Sequence, residues 1–307
     1  MTPLVSIIIP CYNQARFLEE SVGSALAQTW LNIEVIVVDD GSTDPESVAI
    51  LDAFAMPGVR LIRQENKGRS GVRNAAIRAA RGTYILPLDA DDILEPEYAA
   101  EAVALMQNDP GLGIVTCGVR YFGFTEGVWE LPPCGVENML FENCIHISSL
   151  FLREDWEKTG GFDEGIGTIY EDYDFWLSIL ELGKRAVRIE KPLLRYRKHD
   201  AATTVDLKRR EAGREREERL AALSHIYAKH AALYRAHARK VAPRLYTQLR
   251  ASRPRHMDYK KRLYQAERAL HGLLGRIPGL AGFSARRLAR IERKLEHIAL
   301  VEKQEKR

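Results

Sequence analysis

Cysteine is scarce, and no two of the four cysteines stand as C-x-x-C or beside histidines at zinc spacing. Cys11, Cys117, Cys134 and Cys144 therefore suggest neither a metal knuckle nor a redox motif, and they are expected to be reduced and mostly buried. Long apolar runs are also missing: none reaches the roughly 18 residues of a membrane-spanning helix. The opening "MTPLVSIIIPCYNQ" has no basic stretch ahead of its apolar residues and no small-residue cleavage site, so it does not read as a secretory signal. A cytoplasmic location is the expectation. There is no internal repeat. The basic residues near the end do not interleave with aromatics at a regular spacing, which argues against a nucleic-acid partner.

What is present is the composition of a globular protein, 46% apolar and 28% charged over 307 residues. The net charge of +3 conceals a division. Residues 1–205 hold 18 Lys and Arg against 31 Asp and Glu, whereas residues 206–307 hold 27 against 11. An acidic body followed by a basic tail suggests an anionic partner for the tail, or helices docked on the body. Within the body, buried strands at 5–10, 33–40, 59–64 and 83–88 alternate with helical stretches, the first of which places Phe17, Leu18, Val22, Ala25 and Leu26 on one face. That rhythm predicts βαβ units and a parallel sheet. Later segments predict strands near 113–122 and 147–154, a helix from "YEDYDFWLSILELG" with Phe175, Trp176, Ile179 and Leu180 in the core, and a last strand over 186–199. From 206 onward the pattern is helical, with breaks expected at Pro243, 252–255 and 275–283.

Ligands of parallel sheets sit beyond the carboxyl ends of the strands. Here those ends read "PCYNQ", "DDGSTD", "ENKGRSG" and "DADD". Asp89 and Asp91, two apart in an extended segment, would share a face and bridge one divalent cation, magnesium or manganese, to a diphosphate. A plainer alternative makes Asp91 or Asp92 the cap of a helix starting near Glu95 or Pro96. Asp40 suits a hydrogen bond to a base or ribose, while Asp44 suits a cap on the following helix. Lys67, Arg69 and Arg73, with Gly68 and Gly71, lie where a helix N-terminus can hold phosphate.

Taken in order, "VSIIIPCYNQ", "EVIVVDDGSTD", "NKGRSGVRNAA", "LPLDADD", "GGFDE", "YEDYDFW" and "YRKH" resemble the family 2 glycosyltransferases over residues 5–199. The resemblance implies a GT-A fold, a Rossmann-like, mainly parallel sheet flanked by helices in residues 1–205; it does not extend into 206–307, which charge and pattern set apart as a basic helical region. It also implies a nucleotide-diphosphate-sugar donor, UDP-sugar first among them, a Mn2+ or Mg2+ ion, and transfer with inversion to a glycan, lipid-linked or protein hydroxyl. Carried over by position, Pro10, Tyr12, Asn13, Asp40, Arg73, Asp89 and Ala90 bind the donor, and Asp89, Asp91 and His199 face the metal. Asp172 matches the general base and is expected to remain mostly ionised at pH 7. Glu171, Asp172 or Asp174 alternatively caps its helix, and His199 alternatively is a satisfied surface histidine. "GGFDE" is expected to shape the acceptor side, together with residues 123–146.

Two other classes compete: a non-catalytic GT-A module that serves as a scaffold, and a nucleotidyltransferase. The latter lacks its glycine-rich phosphate loop after the first strand. In the tail, Leu288, Ile291, Leu295 and Ile298 form an apolar stripe. It calls for the body, a second subunit or a membrane surface, which "LLGRIPGLAGF" at 273–283 would dip into.

Overall fold

The computed structural model describes residues 2–167, 169–199, 212–251, 268 and 289–293. Four strands, β1 (Val5–Cys11), β2 (Ile33–Asp39), β3 (Val59–Arg63) and β4 (Tyr84–Pro87), lie parallel in the order β3-β2-β1-β4. Ile7, Ile8, Ile9 and Val35 to Val38 are buried on both faces, as unbroken β-branched runs require of a covered parallel sheet. The crossovers are α1 (Leu18–Leu26), α2 (Pro45–Asp52) and α3 (Gly68–Ala79). Leu18, Val22 and Ala25 face the core from α1 as expected, but Leu26 is 41% exposed and Phe17 is half-buried against His199, ring centroids 4.8 Å apart.

The second half departs from the parallel pattern. β5 (Ile93–Leu94), α4 (Tyr98–Asn108), β6 (Leu112–Gly123), β7 (Gly127–Trp129), α5 (Val136–Met139), β8 (Leu150–Leu152), α6 (Arg153–Thr159), α7 (Glu171–Glu181) and β9 (Arg185–Lys198) follow in order. β8 runs antiparallel between β4 and β6, β9 runs parallel to β6, and β5 and β7 pair antiparallel at its margins. The sheet is thus parallel over its first four strands and mixed beyond them. A short buried strand carries the same apolar signature in either direction, so its sense is not legible from sequence. Phe151, Phe162, Phe175 and Trp176 pack ring to ring beneath α7, with Phe162 and Phe175 stacked at 4.2 Å. This cluster fixes the helix that bears Asp172.

A first compact unit runs from Met1 to His230, past the charge boundary at 205. It includes α8 (Ala212–Lys229), whose Ala222 and Ile226, with the following His230, form a buried stripe four residues apart. The second unit, Ala231–Arg307, contains α9 (Ala231–Ala236) and α10 (Ala238–Ala251). The break expected at Pro243 does not occur: α10 continues through it, and Thr247 Oγ1 donates to its carbonyl at 2.9 Å. Of the predicted apolar stripe, Ile291 alone is described, buried in a helical stretch at 289–293. Leu288, Leu295, Ile298 and the segments 252–255 and 273–283 lie outside the described residues. No helix among the described residues is long and apolar enough to cross a membrane. All four cysteines are buried and none is joined in a disulfide.

Candidate active site

β1 and β2 end side by side, and one residue ties together the loops that leave them. Asn13 stands at φ 54°, a left-handed conformation that asparagine tolerates better than most side chains. Its Oδ1 accepts from the amides of Thr43 (2.8 Å) and Asp44 (2.9 Å), and its own amide donates to Ser42 Oγ at 3.0 Å. The side-chain oxygen of Asn13, a residue expected to bind the donor, is committed to the loop. Pro10 is half-buried in β1 opposite Val38, and Tyr12 is exposed at the rim. Asp40 is buried, with Oδ1 accepting from the Gln64 side chain (2.7 Å) and the Lys67 amide (2.9 Å). Asp44 caps α2 by accepting from the Ser47 amide at 2.9 Å.

The "LDADD" segment is not extended. Ala90 and Asp91 form a turn, closed by the Asp92 amide donating to the Asp89 carbonyl at 3.0 Å. Within the turn the two carboxylates take different partners. Asp89 Oδ1 meets Arg73 at 3.0 Å, whereas Asp91 Oδ2 meets His199 Nε2 at 2.8 Å and the Gln14 amide at 3.2 Å. Ala90, between them, is buried. Asp92 is neither free nor a helix cap, because β5 separates it from α4. It is buried and accepts from the Arg197 amide at 2.9 Å, and its pKa is held well above the ordinary carboxylate range by burial and by the charges of Asp91 and Asp89.

Arg73 is the hub of the network. It is buried, donates through one Nη to Asp89 and through the other to Glu171 Oε1 at 2.6 Å, and is held protonated by these carboxylates although burial works against its charge. Both terminal nitrogens are therefore occupied by protein carboxylates.

At the start of α7 the cap position is Tyr170, at φ 68°, and no side chain caps the helix. Glu171, Asp172 and Asp174 are thus free of the capping role. Asp172 is half-buried: Oδ2 accepts from Asn143 at 2.9 Å and Oδ1 from the Tyr173 amide at 2.8 Å. Burial, with the Glu171 carboxylate beside it, pushes its pKa up to about 7, against the opposing pull of Arg73, the Tyr173 amide and Asn143. Where the sequence suggested a mostly ionised group, burial and the Glu171 carboxylate shift it toward its protonated form.

Several participants escaped the sequence. Gln14 sits inside the "PCYNQ" end, and Asn143 inside the 123–146 loop, but nothing in their spacing marked them. Arg197 donates its amide to Asp92 and its Nε to the Asp91 carbonyl at 2.8 Å, and its guanidinium lies over Phe17 and Phe122 at 4.8 and 4.3 Å. Asn74 fixes the "GGFDE" turn, donating to the Phe162 carbonyl and to Glu164 Oε1 and accepting from the Phe162 amide and Trp156 Nε1. Among the described residues no three His, Cys, Asp or Glu side chains converge as metal ligands. Asp91 and His199 do supply an oxygen and an imidazole nitrogen in mutual contact. Such a pair suits an ion that keeps water and takes the rest of its ligands from substrate phosphates.

The family model described as "Glycosyl transferase family 2" matches residues 6–164. The chain is 36% identical over 186 residues to chondroitin synthase of Escherichia coli, a match covering 59% of this chain and 27% of the synthase, so it spans about a quarter of that protein's length. Similar solved structures include TarS 1–349 of S. aureus in complex with UDP (TM-score 0.55, 17% identity, 95% of this chain and 90% of that one). Another is the mannosyltransferase PcManGT of Pyrobaculum calidifontis in complex with GDP-Man and Mn2+ (TM-score 0.52, 21% identity, 86% and 84%). These likenesses concern the fold, which is GT-A. The family match reaches from β1 to the glycine-bounded turn before Tyr170, over half of the 307 residues, and on that span the chain belongs to glycosyl transferase family 2.

Proposed function

We propose that this protein transfers a sugar from a nucleotide-diphosphate-sugar to an acceptor hydroxyl by a single inverting displacement, with Asp172 as the general base. One observation carries the reading: a half-buried carboxylate, oriented by Asn143 and raised to about 7, stands one ion-pair network away from the Asp89 and Asp91 turn. A base must be ionised to accept the hydroxyl's proton and basic enough to keep it as the bond forms, and a pKa near working pH serves both needs. Asp40, through the oxygen not used by Gln64 and Lys67, recognises the base or ribose, beside Pro10 and Tyr12. Asn13 shapes that wall, and Arg73 aligns Asp89 and Ala90 under the donor.

Asp91 and His199 would hold a Mn2+ or Mg2+ ion. When bound, the ion supplies Lewis-acid stabilisation of the charge on the departing nucleotide diphosphate. The UDP and the GDP-Man with Mn2+ named for the two structural neighbours support a nucleotide donor, and UDP-sugars come first. The chondroitin synthase likeness favours a glycan acceptor in polysaccharide assembly.

Thermal shift and donor hydrolysis with UDP-, GDP- and dTDP-sugars, with and without manganese, test this on wild type and Asp91→Ala. Stabilisation by one nucleotide class that needs the metal and is lost in Asp91→Ala is the expected outcome. No shift with any nucleotide in either metal state would leave a scaffold.

A further inference from the structure

Asp172 lies between two aspartates that the proposed chemistry does not use. Asp163 precedes it in the turn after α6, and Asp174 follows it in α7. Both meet the same ammonium: Lys229 Nζ is 3.1 Å from Asp163 Oδ2 and 2.6 Å from Asp174 Oδ2. Neighbours on the same helical end reinforce the bridge. His225 Nε2 lies 3.0 Å from Asp163 Oδ2, and the fully buried His230 sits between Asp174 Oδ1 (3.0 Å) and Glu181 Oε2 (3.1 Å). Asp174 is 0% exposed, and its carboxylate meets Lys229 at the end of α8 and His230 just beyond it. A buried carboxylate without such partners would be strongly disfavoured.

We propose that Lys229 is a positioning residue for Asp172, stapling the loop that precedes the base to the helix that bears it. The inference rests on the glycosyltransferase reading only in naming Asp172 the base. Between the two anchored aspartates the chain passes through Gly167 at φ 88° and Tyr170 at φ 68°. A non-glycine residue in that region persists only where its surroundings hold it. Upstream, Asn74 grips Phe162 and Glu164, and downstream the aromatic core grips Phe175 and Trp176. Lys229 joins the stretch between these grips to itself. The bonds to Asp174 and Asp163 raise the Lys229 pKa despite its burial, and His225, the Gly165 amide and Lys229 draw Asp163 down to about 2 against its own burial, so the Lys229–Asp163 arm of the bridge is ionised throughout the neutral range.

The test uses the full chain. Lys229→Met keeps the aliphatic stem and removes the charge, while Lys229→Arg keeps the charge. For Lys229→Met, amide hydrogen exchange is expected to quicken over residues 163–174 but not in β1 to β4. Turnover of the nucleotide-sugar that wild type accepts should drop by about tenfold or more, since small misplacements of a reacting group carry such factors. Affinity for that donor should stay within about twofold, separating positioning from binding, and Lys229→Arg should restore most of the turnover. Unchanged exchange over 163–174, unchanged turnover, or donor affinity falling in step with turnover would each overturn the proposal. Should Lys229→Met fail to fold, Asp163→Asn, which cuts the loop arm of the bridge, must give the same local loosening or the idea falls. A wild type that turns over no nucleotide-sugar would sink the glycosyltransferase reading instead, and the exchange over 163–174 would then decide the staple by itself.

Discussion

Three acidic side chains within four positions repel one another, and each finds a different remedy. Asp89 takes Arg73, Asp91 takes His199, and Asp92 withdraws into the core beneath Arg197. The meeting of Asp91 with His199, 108 positions apart, was legible only through the family resemblance, and that of Arg73 with Glu171, 98 apart, was not legible at all. No local pattern encodes such a meeting; it follows from the order of strands. Asp172 carries the sharpest expectation at this scale. Because its pKa is raised in the folded protein, the ionised form that can accept a proton falls away as the pH drops through about 7. kcat/KM, which reports the free enzyme, should fall about tenfold per pH unit on the acid side of a midpoint near 7. Asp172→Asn should lower turnover by about 10²–10⁴-fold, remove that acid limb and leave donor binding nearly intact. An unchanged profile in the variant would transfer the role to another group.

Among the elements, β1 to β4 and α1 to α3 followed directly from the alternation of β-branched runs with amphipathic stretches. The DxD turn did not, since a reversal of two residues at Ala90 and Asp91 leaves no periodic trace. α8 was expected as a helix, but its place in the first unit was not marked. Its charge marked it as part of a basic tail, yet Ile226 and Ala222 are buried within the first compact unit and its end meets Asp163 and Asp174. A chain ended at 205 would expose that apolar contact. Fully burying a side chain such as Ile226 stabilises by about 1.5–3 kcal/mol, and each kcal/mol shifts the melting point of a domain this size by about 2–4 °C. Calorimetry should therefore find a 1–205 fragment melting about 5–10 °C below a 1–230 fragment. Equal melting points would mean that α8 adds nothing to the first unit.

Over the whole molecule, the charge division persists when the boundary moves from 205 to His230. Residues 231–307 hold 20 Lys and Arg against 6 Asp and Glu, and the first unit holds 25 against 36. Basic clusters gain about 1 kcal/mol per residue near an anionic lipid surface and lose it within a Debye length. Full-length protein should float with vesicles rich in anionic lipid at low salt, sink as salt is raised, and sink at any salt when ended at 230. Flotation of the 1–230 chain would move the contact into the first unit. The brace at Asn13 has a different consequence at this scale. Because the loops beyond β1 and β2 are already linked before any ligand arrives, an incoming nucleotide meets a wall that needs no ordering. Association should then run at an ordinary encounter rate for every donor, and preference among nucleotides should appear in how long each one stays.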